Sequence, residues 1–224
     1  MKIFDPDGPL MSALNTLADL VFCNILFCLF SLPLITSGAA LCALYDCVFS
    51  ILDQREESFI ALQFWKAFRR NLKPGVILYF IILIFILILW AYAQAVNTLS
   101  GDLKNIYQVT FLIILFLFLS GAQYIFPLQA RNSRKNLDLD LNLNLKNKNT
   151  GDILYILKNS WILSAVALPQ TLCCLAIDIL AVYISFFMNP AALNTAVFLW
   201  AFAGFGVTAY LNGFFFRAAF RRLK

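Results

Sequence analysis

Along this chain the apolar positions do not alternate with polar ones. They gather into long unbroken runs separated by short polar clusters. Six runs stand out: Ala13 to Leu32, Gly38 to Leu52, Gly75 to Val96, Ile106 to Ala130, Trp161 to Phe187 and Ala191 to Phe216. A helix rises about 1.5 Å per residue, so crossing a hydrocarbon core of about 30 Å takes about 20 apolar residues. The second run, about 22 Å long as a helix, falls short of that thickness unless the bilayer thins or neighbouring helices shelter it. The pattern predicts an all-α polytopic membrane bundle of six transmembrane helices in a single domain.

The intervening segments carry their own patterns. In 58–72, Phe59, Leu62, Trp65, Phe68 and Leu72 recur at spacings of three and four, with Lys66, Arg69 and Arg70 between them. That periodicity predicts a separate amphipathic helix lying in the membrane interface, its Trp and Phe in the headgroup boundary. Membrane anchoring and docking of a cytoplasmic partner are both compatible with it, through Trp65, Lys66, Phe68, Arg69 and Arg70. The segment 132–152 alternates Leu with Asp and Asn from Leu137. A lone strand has no partner to pair with, so a flexible cytoplasmic loop is expected, followed by a short helix from Ile153 to Asn159. Between the first two runs, Pro33 disfavours helix at Leu32, and Thr36, Ser37 and Gly38 offer a cap and a start for the next helix. Ala39, Ala40 and Ala43 then give the second helix a small face that another backbone can approach closely.

Charge decides whether the short run crosses. If it does, every Lys and Arg among the seventeen except Lys104 falls on one side. If it does not, the basic groups divide between the two sides, against the retention of Lys and Arg in cytoplasmic loops. Both termini are therefore expected in the cytoplasm. Composition agrees with a membrane protein: 62% of residues are hydrophobic and 13% charged, about half the charged share of a soluble domain. The net charge of +5 needs no nucleic acid to explain it, because topology already accounts for the basic clusters. Met1 to Leu20, with acids at Asp5 and Asp7 and no small-residue cleavage site, does not read as a removable signal peptide.

Little chemistry is on offer. The chain has no His, which removes the usual general base and the commonest metal ligand. It has no Gly-Lys dipeptide and hence no phosphate-binding ATPase loop. The six Cys all fall within the apolar runs and form no Cys-x-x-Cys pair, as expected of small buried hydrophobes. No enzyme activity, metal or cofactor is expected. Polar residues inside the runs remain: Asn15, Asp19 and Asn24 on the first, Asp46 on the second, Gln123 on the fourth, Gln170 and Asp178 on the fifth, and Asn212 on the sixth. A carboxylate at the bilayer centre costs about 2.5–3.5 kcal/mol on insertion scales, so each should face protein or water and have a partner. Because no Lys or Arg falls deep within a run, the expected partners of Asp19 and Asp46 are Asn15, Asn24 and Asn212. A structural carboxyl joining helices, a proton or cation site, and contacts to a sugar-like solute all stay open.

Several stretches together resemble one family. Phe4-Asp-Pro-Asp-Gly-Pro-Leu10, Leu14-Asn15, Ala18-Asp19-Leu20, Asn24, Leu32 to Ala40 and Ala43-Leu44-Tyr45 are similar to the opening signature of the YesL-like membrane proteins. Phe64 to Asn71, Tyr124 to Arg131 and Leu157-Lys-Asn159 resemble later parts of it in the same order. The Leu/Asp/Asn insertion departs from the family pattern. The resemblance implies a multi-pass protein of the bacterial plasma membrane, often encoded beside oligosaccharide ABC importers, and it implies no catalytic residue. The expectation is an accessory integral membrane subunit associated with such an importer in carbohydrate uptake, with the lipid bilayer and importer permease subunits as partners and a homo-oligomer compatible. The alternative is a self-contained secondary transporter or channel for a small solute that uses Asp46 or Asp19, although no inverted repeat is evident.

Overall fold

A computed structural model describes residues 9–54, 59–98, 100, 102–143, 153–187 and 197–221. The N-terminal motif at 4–8, Arg55, Ser58, the loop portion 144–152 with Lys146 and Lys148, the start of the sixth run at 191–196, and Arg222 and Lys224 lie outside those residues. Among the described residues all regular structure is helical: α1 (Pro9–Ser31), a 3-10 turn (Leu34–Thr36), α2 (Ser37–Leu52), α3 (Ile60–Asn97), α4 (Asp102–Leu143), α5 (Ile153–Val166), α6 (Leu168–Phe187), a π-helical stretch (Trp200–Gly204) and α7 (Phe205–Phe220). Six helical segments among the described residues are long and apolar enough to cross a membrane. Large apolar side chains cover their outer faces, among them Leu29 on α1, Leu87 and Trp90 on α3 and Ile179 on α6, as lipid or partner helices require.

The short second run is the central element. Ala39, Ala40, Cys42, Ala43, Cys47 and Val48 of α2 are fully buried, enclosed by α1, α3, α4 and α7. Protein rather than lipid surrounds α2, so its shortness leaves little backbone facing hydrocarbon. Its small face does admit a neighbouring backbone, that of Gly75 on α3. A Cβ added at Gly75 would lie 2.8 Å from the Ala39 Cα and N, and one at Gly38 would strike the Gly75 carbonyl oxygen. The turn before α2 differs in detail from expectation. Thr36 and Ser37 make no side-chain cap to α2; instead the Thr36 hydroxyl donates to the Phe30 and Pro33 carbonyls, both at 2.8 Å, tying off the end of α1.

The segment expected to lie apart in the interface is the first third of α3. The helix continues through Pro74 into the third apolar run without a break. Its buried stripe is Phe64, Ala67, Phe68, Asn71, Gly75 and Leu78, one face at helical spacing, while Phe59, Leu62 and Trp65 are exposed. Packing on α2 therefore selects a different face from the one the apolar spacing suggested. α4 likewise runs on to Leu143, so 132–143 is helix where a flexible loop was expected. The Leu/Asp alternation sits at the end of an established helix, where each added residue gains a backbone hydrogen bond.

α3 and α4 form an antiparallel hairpin. Tyr92 stacks on Phe111 and Phe85 on Phe118; farther along, Asn71 meets Gln129 and Arg70 meets Ser133. That register sets Pro74 beside Pro127, so both helices lose a backbone bond at one level. At 38 and 42 residues the helices are about 57 and 63 Å long, about twice the hydrocarbon thickness. The fifth run is divided into α5 and α6 at Ala167, beside Pro169. Thr171 repairs the break by donating to the Ser164 and Ala167 carbonyls at 3.1 and 3.0 Å.

Candidate functional site

Asp46 is 3% exposed on the enclosed helix α2, and its partners are arginines rather than the expected amides. Arg134 of α4 grips the carboxylate in a fork, with Nε 3.1 Å from Oδ1 and Nη2 donating to Oδ2 at 3.1 Å. Arg70 of α3 donates to Oδ1 from Nη2 at 3.2 Å and to Ser133 Oγ from Nε at 2.8 Å. Gln63 reaches the Asp46 backbone carbonyl at 3.5 Å, and Gln129 donates to Asn71 at 3.0 Å beside the cluster. Two-point Arg–carboxylate contacts are the strong form of ion pair. The expectation that no basic residue could neutralise Asp46 fails because both arginines sit on helix extensions beyond the apolar runs, one assigned to an interfacial helix and the other to a loop. With both oxygens engaged, Asp46 is a pin joining α2, α3 and α4.

A second arginine contact lies at the end of the same helix. Arg217 of α7 pairs with Asp53 at 2.8 Å and donates to the Leu52 carbonyl at 2.8 Å, a cation where the helix dipole favours one. Arginines from three separate sequence groups thus converge on the two carboxylates of α2 and its end. Arg131 lies 4.7 Å over the Phe220 ring nearby.

Asn24 is fully buried and meets neither Asp19 nor Asp46. Its amide nitrogen donates to the Trp200 and Ala201 carbonyls at 3.1 and 2.7 Å, and its oxygen accepts from the Gly206 N–H at 2.8 Å. A π turn displaces backbone groups from their usual partners; Asn24 supplies replacements and fixes α1 to the turn.

Beside that turn, α2, α6 and α7 border a half-open cavity of about 220 Å³ lined by Tyr45, Asp178, Trp200, Phe205, Thr208 and Asn212, among others. Asn212 donates to Asp178 Oδ1 at 2.8 Å. Thus Asn212 does partner an acid, but one other than Asp19 or Asp46.

The remaining candidates are dispersed. Asn15 is exposed and Asp19 half-buried on α1; neither makes a hydrogen bond or ion pair among the described residues. Gln123 donates to the Thr171 carbonyl at 3.3 Å, and Gln170 is half-buried on α6. The docking set divides. Trp65, Lys66 and Arg69 face outward, with the Arg69 guanidinium 5.7 Å over the Trp65 ring. Phe68 is buried against Phe30, ring centroids 4.8 Å apart, and Arg70 turns inward to Asp46.

The family model described as "Protein of unknown function, DUF624" matches residues 20–92, about a third of the chain, from within α1 to near the end of α3. That interval holds Asn24, Asp46, Gly38, Gly75, Arg70 and the Tyr45 wall of the cavity, but neither Arg134 nor Asp178. No curated protein and no solved structure matches the chain.

Proposed function

We propose that this chain is a YesL-like accessory subunit of the bacterial plasma membrane, associated with the permease subunits of an oligosaccharide ABC importer and oriented with both termini in the cytoplasm. The observation that carries this reading is the outward surface of the first turns of α3. There Trp65, Lys66 and Arg69 stand exposed on a helix that extends beyond its apolar portion, while the acid below them is already engaged by two arginines. A rigid platform of aromatic and basic side chains suits docking to a partner, and the pinned Asp46 supports a scaffold better than a carrier that must release and rebind a charge.

The test is affinity purification of the tagged protein in mild detergent from cells growing on the imported glycan. Importer permease subunits are expected with the parent chain and lost with Trp65→Ala combined with Lys66→Glu and Arg69→Glu. Absence of permease from the parent preparation, together with full importer activity in a deletion strain, would overturn the proposal.

A further inference from the structure

The two deeply placed acids of α2 and α6 are satisfied very differently. Asp46 has two guanidinium partners. Asp178 has, among the described residues, one amide donor from Asn212 on Oδ1 and no cation. Asp178 is half-buried, and a carboxylate among apolar side chains with only one neutral donor is costly. Its other neighbours deepen the imbalance. Asn212 is 3% exposed and its Oδ1 accepts no hydrogen bond. The Tyr45 hydroxyl, also on the cavity wall, makes no hydrogen bond among the described residues.

Two of the donors on the wall are spent elsewhere. Trp200 Nε1 donates to Ser185 Oγ at 2.6 Å, and Thr208 donates to the Gly204 carbonyl. The wall therefore presents one carboxylate, the Tyr45 hydroxyl and the aromatic rings of Trp200, Phe205 and Tyr45. An occupant rich in acceptors, such as a sugar, would find the Tyr45 hydroxyl as a donor beside a carboxylate that repels its oxygens. An ammonium group supplies N–H donors to the acceptors and positive charge to the carboxylate, and its alkyl portion can lie on the rings, where cation–π attraction adds. At about 220 Å³ the space is smaller than typical drug-sized sites of about 300–1,000 Å³, which limits the occupant to a few heavy atoms.

We propose that the cavity bounded by α2, α6, α7 and the π turn binds a small primary organic ammonium ion, with Asp178, held by Asn212, as counter-ion and Tyr45 as a hydrogen-bonding group. This site is independent of the importer association and of the Asp46 cluster. The test titrates the purified full chain in a non-ionic detergent with propylammonium chloride, following tryptophan fluorescence and the thermal unfolding midpoint. Potassium chloride, 1-propanol and D-glucose serve as comparisons. A saturable response to propylammonium alone is expected. Asp178→Asn should weaken it by about tenfold or more, as loss of a charged hydrogen bond implies. Tyr45→Phe, which keeps the ring packing, should weaken it by a few-fold, and Asp19→Asn should leave it unchanged. No saturable response, equal potency in both cavity variants, or an equal response to potassium, propanol or glucose would each overturn the proposal.

Discussion

An acid enclosed by protein on three sides can be tolerated as a neutral group or as one member of an ion pair, and at Asp46 the choice is visible in the side chains around it. Removing the carboxylate leaves Arg70 and Arg134 facing one another, largely buried, with side-chain exposures of 23% and 13%. Breaking one member out of such a cluster costs about 3–5 kcal/mol, so Asp46→Ala should lower the unfolding midpoint sharply in detergent. Asp46→Ala combined with Arg134→Ala should recover part of the loss, a coupling that a thermal double-mutant cycle reads directly. Asn24 gives a second residue-scale prediction. Asn24→Ala strands the carbonyls of the π turn, and each unmet buried group costs about 1–3 kcal/mol. The expected result is reduced thermal stability, with faster hydrogen exchange at Gly206.

At the scale of the element, the sign of a glycine substitution tests the packing of α2 on α3. In an exposed helix Gly→Ala is stabilising by about 1 kcal/mol. At Gly75 the new methyl would meet the Ala39 backbone at 2.8 Å, so Gly75→Ala should destabilise the protein and shift the unfolding midpoint downward. The helix content of the chain was legible because apolar runs of span length allow few other structures. The small face of Ala39, Ala40 and Ala43 was equally legible as a place of close approach. The elements misjudged share a physical cause. The amphipathic segment 58–72 was expected as a separate helix from the run that starts at Gly75, yet one helix passes through Pro74 and joins them. The spacing of Phe59, Leu62 and Trp65 described a face that is exposed here, whereas the buried face contains Gln63 and Asn71, polar residues that each bond to another helix. Asp46 was legible from the cost of burying it. Its arginine partners were not, because the nearer lies 24 residues away and the farther 88, and helix direction alone brings them together. The π turn has no sequence pattern that would have assigned Asn24 to it.

For the whole molecule, the two N-terminal hairpins differ in reach. Gly38, just after the turn joining α1 and α2, abuts Gly75 and Tyr79 of α3, although the apolar runs placed Gly38 and Gly75 on opposite faces of the membrane. α3 then continues another 18 residues to Asn97, about 27 Å farther. The α1–α2 turn should therefore lie much deeper in the bilayer than the α3–α4 turn. In a variant lacking native cysteines, a cysteine at Leu34 should resist a membrane-impermeant maleimide from either side, while one at Ser100 reacts from the side opposite Arg70. Rapid labelling at Leu34 from the same side as Ser100 would instead place the two turns at one surface.

The fork of Arg134 on Asp46 also has a meaning for synthesis. Translation proceeds at about 5–20 residues per second, so the 88 residues between the two take about 4–18 seconds to make. During that interval the acid of α2 lacks the two-point grip of Arg134, and the early helices cannot reach their final arrangement until the ribosome has delivered the far half of α4. A nascent chain arrested before Arg134 should consequently be a preferred target of membrane quality-control proteases, whereas one arrested just beyond α4 should survive longer.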